Sequence, residues 1–136
     1  MFFDTDVKAV LAAAKVIAVV GAKDTPGHPV DRVGRYLIDA GYTVHPVHPV
    51  RKTVWGLAAF PNLAAVPGPI DIVDLFRAAH YCPDHARECL ALDPRPGMFW
   101  MQSGITSEEA AVLLAGSGIR VVQDRCLMIE HNRLLS

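Results

Sequence analysis

The sequence predicts an α/β fold: a single doubly wound domain with a mostly parallel sheet of about five strands and helices on both faces. Three observations carry this. Strand-like and helix-like segments alternate along the chain. The strand-like runs are unbroken apolar stretches, as in Val16-Ile17-Ala18-Val19-Val20, a pattern that suits strands buried on both faces. The chain of 136 residues is 51% hydrophobic and 20% charged, enough for one packed core and too apolar for disorder. The domain is expected over residues 1–136, with a helix within 1–15 and the core in 16–131.

Each element has its own signal. Asp4-Thr5-Asp6 offers caps for a first helix, and Val7 to Ala14 is rich in strong helix formers. Val16 to Val20 is the first strand and ends at Gly21. The loop that follows, to Pro29, contains the turn chemistry Thr25-Pro26-Gly27. Val30, Val33, Tyr36, Leu37 and Ala40 recur at helical spacing, and Gly41 terminates that helix. Tyr42 to Val47 reads as strand two, stopped by Pro46 and Pro49. Arg51 to Phe60 reads as a connector, and residues 61–66 as one helical turn before Pro67. Ile70 to Phe76 is strand three, Pro83 to Leu92 a helix, and Met98 to Met101 strand four. Ser107-Glu108-Glu109 opens a helix that runs to about Ala115, with Gly116 and Gly118 closing it. Ile119 to Val122 is strand five, and Arg125 to Leu135 a final helix or turn. This order is Rossmann-like, and such domains bind ligands beyond the carboxyl ends of their strands.

Composition excludes several classes. The formal charge is 13 − 14 = −1, whereas proteins that neutralise duplex phosphates are usually basic, so no nucleic acid is expected as a partner. The most apolar stretch, Ala9 to Ala22, is broken by Lys15 and falls short of the roughly 18 uncharged residues of a membrane span. Asp4 and Asp6 stand where a secretory leader would be positive. Three cysteines without paired spacing suit a reducing compartment, so the expected location is cytoplasmic.

The strand ends carry the functional signal. Gly21 allows a tight turn, and the helix after it points free amides back at the loop, a phosphate-binding arrangement. The loop matches the dinucleotide fingerprint only at Gly21, since the next glycine comes at Gly27. An NAD-binding domain places a carboxylate after strand two, but here the stretch runs His45-Pro46-Val47-His48-Pro49-Val50-Arg51-Lys52. Two cations without an acid favour a nucleotide with an extra ribose phosphate, such as NADP or coenzyme A. Strand three ends in Phe76-Arg77, an aromatic and a guanidinium that suit a base and a phosphate, although Phe76 also suits the core. Strand four ends in Gln102-Ser103-Gly104, neutral hydrogen-bonding groups beside a residue that permits close approach.

These stretches, with Gly41-Tyr42-Thr43-Val44, Trp55-Gly56, Phe60-Pro61-Asn62-Leu63, Asp71 to Arg77 and Asp124 to His131, resemble the small stand-alone CoA-binding proteins. Their fold is similar to the CoA-binding domain of the succinyl-CoA synthetase alpha subunit. The resemblance runs from about Val16 to His131. It implies a small-molecule nucleotide ligand, coenzyme A free or acylated, and the residues themselves show no catalytic machinery. The implied contacts begin at Gly21, Ala22 and Lys23 and continue at Arg32 and Val33. They include Pro46, Val47, His48 and Pro49, then Arg51 or Lys52, Phe76 and Arg77, and finally Gln102, Ser103 and Gly104. Lys23 stands where the family usually has Ser, and His48 where Asn is common. The diphosphate would meet the helix amides near Val30 to Val33, and the 3′-phosphate would meet Arg51 and Lys52. The adenine would take a slot of Val47, Phe76 and prolines, and the pantetheine arm would follow Gln102 to Gly104.

No catalytic residue and no metal ligand is assigned. His45 and His48 point to opposite faces of a strand, and His80 and His85 do not stack on one helical face. Cys126 follows Arg125, which would favour a thiolate able to form a mixed disulfide with CoA. The preferred reading is a small buried residue beside the sheet. The competing classes are a small NADP-dependent oxidoreductase, an acyl-CoA ligase or thioesterase component, and an interaction protein with a vestigial nucleotide site.

Overall fold

The computed structural model describes residues 2–135, so the two end residues of the expected 1–136 span, Met1 and Ser136, lie outside the described residues. Helix α1 (Phe2–Ala13) leads into β1 (Val16–Val20), α2 (Pro29–Asp39) and β2 (Thr43–Val47). A short hairpin follows, β3 (Thr53–Val54) and β4 (Leu57–Ala58), then a 3-10 turn at Leu63–Ala65 and β5 (Ile72–Leu75). The chain closes with α3 (Cys82–Ala91), β6 (Met98–Met101), α4 (Glu108–Leu114), β7 (Arg120–Val122) and α5 (Leu127–Leu135). The alternation read from the sequence is present. The difference lies in the expected connector, where β3 and β4 pair antiparallel. Two-residue strands leave too little periodicity to be seen in a sequence.

The main sheet has five strands in the order β2-β1-β5-β6-β7, every neighbouring pair parallel. Its side chains alternate between two cores, as the strand period requires. Val20, Leu75, Phe99 and Met101 face one core, under α3 and α4. Ile17, Val19, Ile72, Met98 and Trp100 face the other, under α1, α2 and α5. Burying each such side chain contributes about 1.5–3 kcal/mol of transfer free energy, which fixes the register of the strands. That register sets the strand ends, and the crossovers from β1 and β5 leave on opposite sides of the sheet. The crevice between their carboxyl ends is therefore the topological switch point.

Candidate functional site at the strand ends

The switch point is built on a glycine. Gly21 ends β1 at φ +83°, and a Cβ there would lie 2.4 Å from the Phe76 carbonyl oxygen. No larger residue fits so close to the end of β5. The Gly21 and Ala22 amides both donate to the Val47 carbonyl, at 3.0 and 3.3 Å, tying the loop to β2. Ala22 is buried in the core, so it shapes the turn, while Lys23 stands exposed beyond it.

Two helices begin at this crevice. Pro29 opens α2 without needing an amide partner, and the His28 cap makes no side-chain hydrogen bond to the first turn. The Asp31 and Arg32 amides turn back to the His28 carbonyl, at 3.1 and 3.2 Å, which leaves the Val30 amide at the positive end of the helix dipole. The first amide of α5, on Leu127, donates to Gln102 Oε1 at 3.1 Å. Between the helices lies a cleft of about 560 Å³. Lys23, Arg32, Arg77 and His28 line it together with apolar Val30, Val33, Phe76, Ile105, Met128 and Ile129. Gly21, Gln102, Ser103 and Cys126 complete the wall. Cys126 is thus half-buried in a cleft wall, not enclosed beside the sheet as its sequence context suggested.

A second pocket of about 200 Å³ is lined by Val20, Val47, Pro49, Pro61, Asn62, His85 and Glu88, and Arg77 lines both spaces. A depression of about 550 Å³ between α1 and β7 lies away from the strand ends, and its one cation, Arg120, is paired with Asp6 at 2.7 Å.

The strand-two cations divide. Arg51 donates to Asp24 at 2.9 Å, and Asp24 also accepts the Trp55 amide at 3.2 Å. The Trp55 indole in turn donates to Asp31 at 2.9 Å and packs on Gly34, where a Cβ would lie 2.1 Å from the ring. This network links the β1 loop, the hairpin and α2. Asp24 and Trp55 were not anticipated as partners, because ties across 24 to 31 residues leave no local pattern. The single sequence hint was Gly34, a small residue within a helical run.

His48 reports the field at the crevice. Its Nδ1 accepts the Val50 and Arg51 amides at 3.0 Å each. Burial lowers its pKa below the usual value, and Arg51, Lys23 and Arg77 lower it further. Loops after three different strands thus bring cations to one point. Of the other expected contacts, Pro46 is buried in β2, Lys52 is exposed, and the Gly104 amide is taken by Asp124 at 2.6 Å. Ala22, Pro46, His48, Arg51, Lys52 and Gly104 line neither space. Among the described residues, no three His, Cys, Asp or Glu side chains converge as a metal site. No helix among them is long and apolar enough to cross a membrane.

A five-stranded parallel sheet with a cationic cleft at its switch point defines a Rossmann-like α/β protein with a small-molecule crevice. The chain belongs to the CoA binding domain family, whose model matches residues 15–132. It is 37% identical over 126 residues to the uncharacterized protein YneT of Bacillus subtilis (strain 168), covering 93% of this chain and 92% of that protein. Among solved structures it is similar to a Thermus thermophilus protein at TM-score 0.91 and 45% identity, covering 97% of this chain and 98% of that one. A hypothetical protein from Pyrococcus horikoshii OT3 gives TM-score 0.92 and 32% identity, covering 98% and 92%. A dinucleotide-forming acetyl-coenzyme A synthetase of Ca. Korarchaeum cryptofilum shares the fold at TM-score 0.67 and 23% identity. There the match spans 79% of this chain but 25% of that one.

Proposed function

We propose that this protein binds coenzyme A, free or acylated, across the switch-point crevice, as a non-catalytic module of the cytoplasm. The observation that carries this reading is the convergence of Lys23, Arg32 and Arg77 with the first turn of α2 on one cleft of about 560 Å³. A diphosphate is the ligand chemistry that such an arrangement suits. Phe76, Val30, Val33 and Met128 add the apolar wall that a pantetheine arm needs, with Gln102 and Ser103 for its amides. Val47 and Pro49 of the smaller pocket suit the adenine. Arg51 and Lys52 serve the 3′-phosphate, Arg51 from a position fixed by Asp24. A reducing compartment suits the three free cysteines.

A thermal-shift and calorimetric titration with CoA, dephospho-CoA and NADP tests the reading. CoA is expected to raise the melting temperature by several degrees at a hundredfold excess over its Kd, since that excess stabilises by about 2.7 kcal/mol. Dephospho-CoA should stabilise less. A larger shift with NADP moves the protein to the oxidoreductase class, and no shift with any of the three leaves the crevice without this function.

A further inference from the structure

We propose that Tyr81 is a positioning residue: its ring holds the Arg77 guanidinium at the boundary shared by the cleft and the smaller pocket, and leaves the charge available to a phosphate. This rests on the CoA reading above and deepens it. Arg77 leaves the end of β5, where the Phe76 amide still donates to the Val20 carbonyl at 2.9 Å. A 3-10 turn at Ala79–Tyr81 follows, closed by the Tyr81 amide donating to the Ala78 carbonyl at 2.9 Å. The turn brings residue 81 back beside residue 77, and the guanidinium carbon lies 4.0 Å over the centre of the Tyr81 ring. That ring is itself stacked on His80, with centroids 4.1 Å apart and planes 38° from parallel. The stem of Arg77 is placed as well. A Cβ at Gly21 would lie 3.3 Å from Arg77 Cδ, so the stem runs across the turn that ends β1.

Tyr81 thus supplies order without neutralisation. An arginine loses rotamer freedom when it binds an anion, and a contact that orders it beforehand reduces that loss. A carboxylate would order it too, as Asp24 orders Arg51, but it would occupy N–H groups and oppose the charge. Stacking takes the face of the guanidinium and leaves the donors at its edge available. Glu88 is near enough to feel the Arg77 charge, yet its two oxygens go to His85 Nδ1 at 2.6 Å and to the Leu63 amide at 3.2 Å. Arg77 is also one of the cations that lower the pKa of His48, so its field reaches the crevice. The Tyr81 side of the pair is open: the residue is 43% exposed, so its ring is not needed to fill the core. Arg77 lines both spaces, which puts the ordered cation where a bound nucleotide would pass from one to the other.

Calorimetry with CoA tests this on the native protein, Tyr81→Leu, Tyr81→Phe, Arg77→Ala and the double variant Arg77→Ala with Tyr81→Leu. Tyr81→Leu is expected to weaken CoA about two- to fivefold, the equivalent of a cation–π contact at an exposed site. Tyr81→Phe keeps the ring face and is expected to restore the native affinity. In the Arg77→Ala background, Tyr81→Leu is expected to cost nothing further, because no guanidinium is left to hold. A second readout needs no ligand: the Arg77 Nε–H proton resonance is expected to be shifted upfield by the ring in the native protein and in Tyr81→Phe, and to lose that shift in Tyr81→Leu. Native CoA affinity in Tyr81→Leu overturns the inference. An equal loss in both backgrounds also overturns it, since Tyr81 then acts on the ligand or the fold and not through Arg77. So does an unshifted Arg77 resonance in the native protein, whether or not CoA binds. A shifted resonance in a native protein that does not bind CoA overturns the parent reading, and the ligand role of Tyr81 with it.

Discussion

Arg133 and Arg77 carry the same guanidinium into opposite surroundings. Arg133 reaches from α5 to Asp4 of α1 at 2.8 Å and to Glu130 at 2.6 Å, so it clamps two helices with charge-assisted bonds. Arg35, Arg51, Arg87, Arg120 and Arg125 each have a carboxylate as well, and Arg95 donates to two backbone carbonyls. Among the described residues, Arg32 and Arg77 are the arginines with neither. Both line the cleft, and Arg77 lies 4.0 Å over the Tyr81 ring. The paired cations hold elements together. The two without an ion pair keep more of their attraction for an anion from solution, so a chain of net charge −1 still carries a local cationic cleft that suits the proposed phosphate ligand.

The buried acids repeat the contrast and give the largest expected effect. Glu130 accepts from both Arg125 and Arg133. Asp74 is fully buried in β5 between Val19 and Trp100, and neither of its oxygens has a partner. Burial therefore pushes its pKa well above the usual value, and the folded protein keeps it as a neutral acid. The unfolded chain ionises near pH 4, so the stability held below that pH is lost as pH rises toward the folded value. The slope is about 1.4 kcal/mol per pH unit, flattening once the folded form ionises too. Asp74→Asn keeps the shape and removes the proton. Urea unfolding from pH 4 to pH 8 is expected to show this decline in the native protein but not in the variant, which becomes the more stable at pH 8. Parallel curves would mean that Asp74 is ionised and has found a partner.

Exchanging the two arginines breaks or sharpens the comparison directly. Arg77→Ala is expected to weaken CoA about ten- to a hundredfold, the range for a lost hydrogen bond to a charged group, with little change in melting temperature. Arg133→Ala is expected to do the reverse: it lowers the melting temperature by several degrees, because it strips a partner from buried Glu130, and leaves the CoA affinity alone. Calorimetry and thermal melts on the two variants measure both quantities. A drop in stability for Arg77→Ala equal to that for Arg133→Ala removes the distinction between holding and binding.

The sheet was legible because β1 and β6 are unbroken apolar runs and the other strands are mostly apolar, and Gly21 and Gly41 punctuate it. The cleft was legible where strand ends coincide with cations, as at Lys23 and Arg77. Pairing was not legible. Nothing local distinguishes Arg51, tied to Asp24, from Arg32, which has no acid, because the partner of each is chosen by the fold and not by spacing. The same holds for Asp74. Its neighbours Ile72, Val73 and Leu75 show only that a strand passes there, and its lack of any partner is a property of the packed core.

Arg51 and Lys52 bring the comparison down to adjacent residues and its smallest effect. Arg51 is held by Asp24 at 2.9 Å, and its charge is already engaged in that pair. Lys52 is exposed, with a flexible stem and a strongly hydrated ammonium. Such a group contributes on the scale of a surface ion pair, up to about 1 kcal/mol, and salt screens it over about 10 Å at 0.1 M. Lys52→Ala is therefore expected to weaken CoA by about two- to fivefold at low salt. Dephospho-CoA should lose nothing, because the phosphate that the ammonium meets is gone. The difference between the two ligands should shrink as salt is raised, in titrations at several ionic strengths. An equal loss for both ligands would put the Lys52 charge on the diphosphate, and the 3′-phosphate would then depend on Arg51 alone.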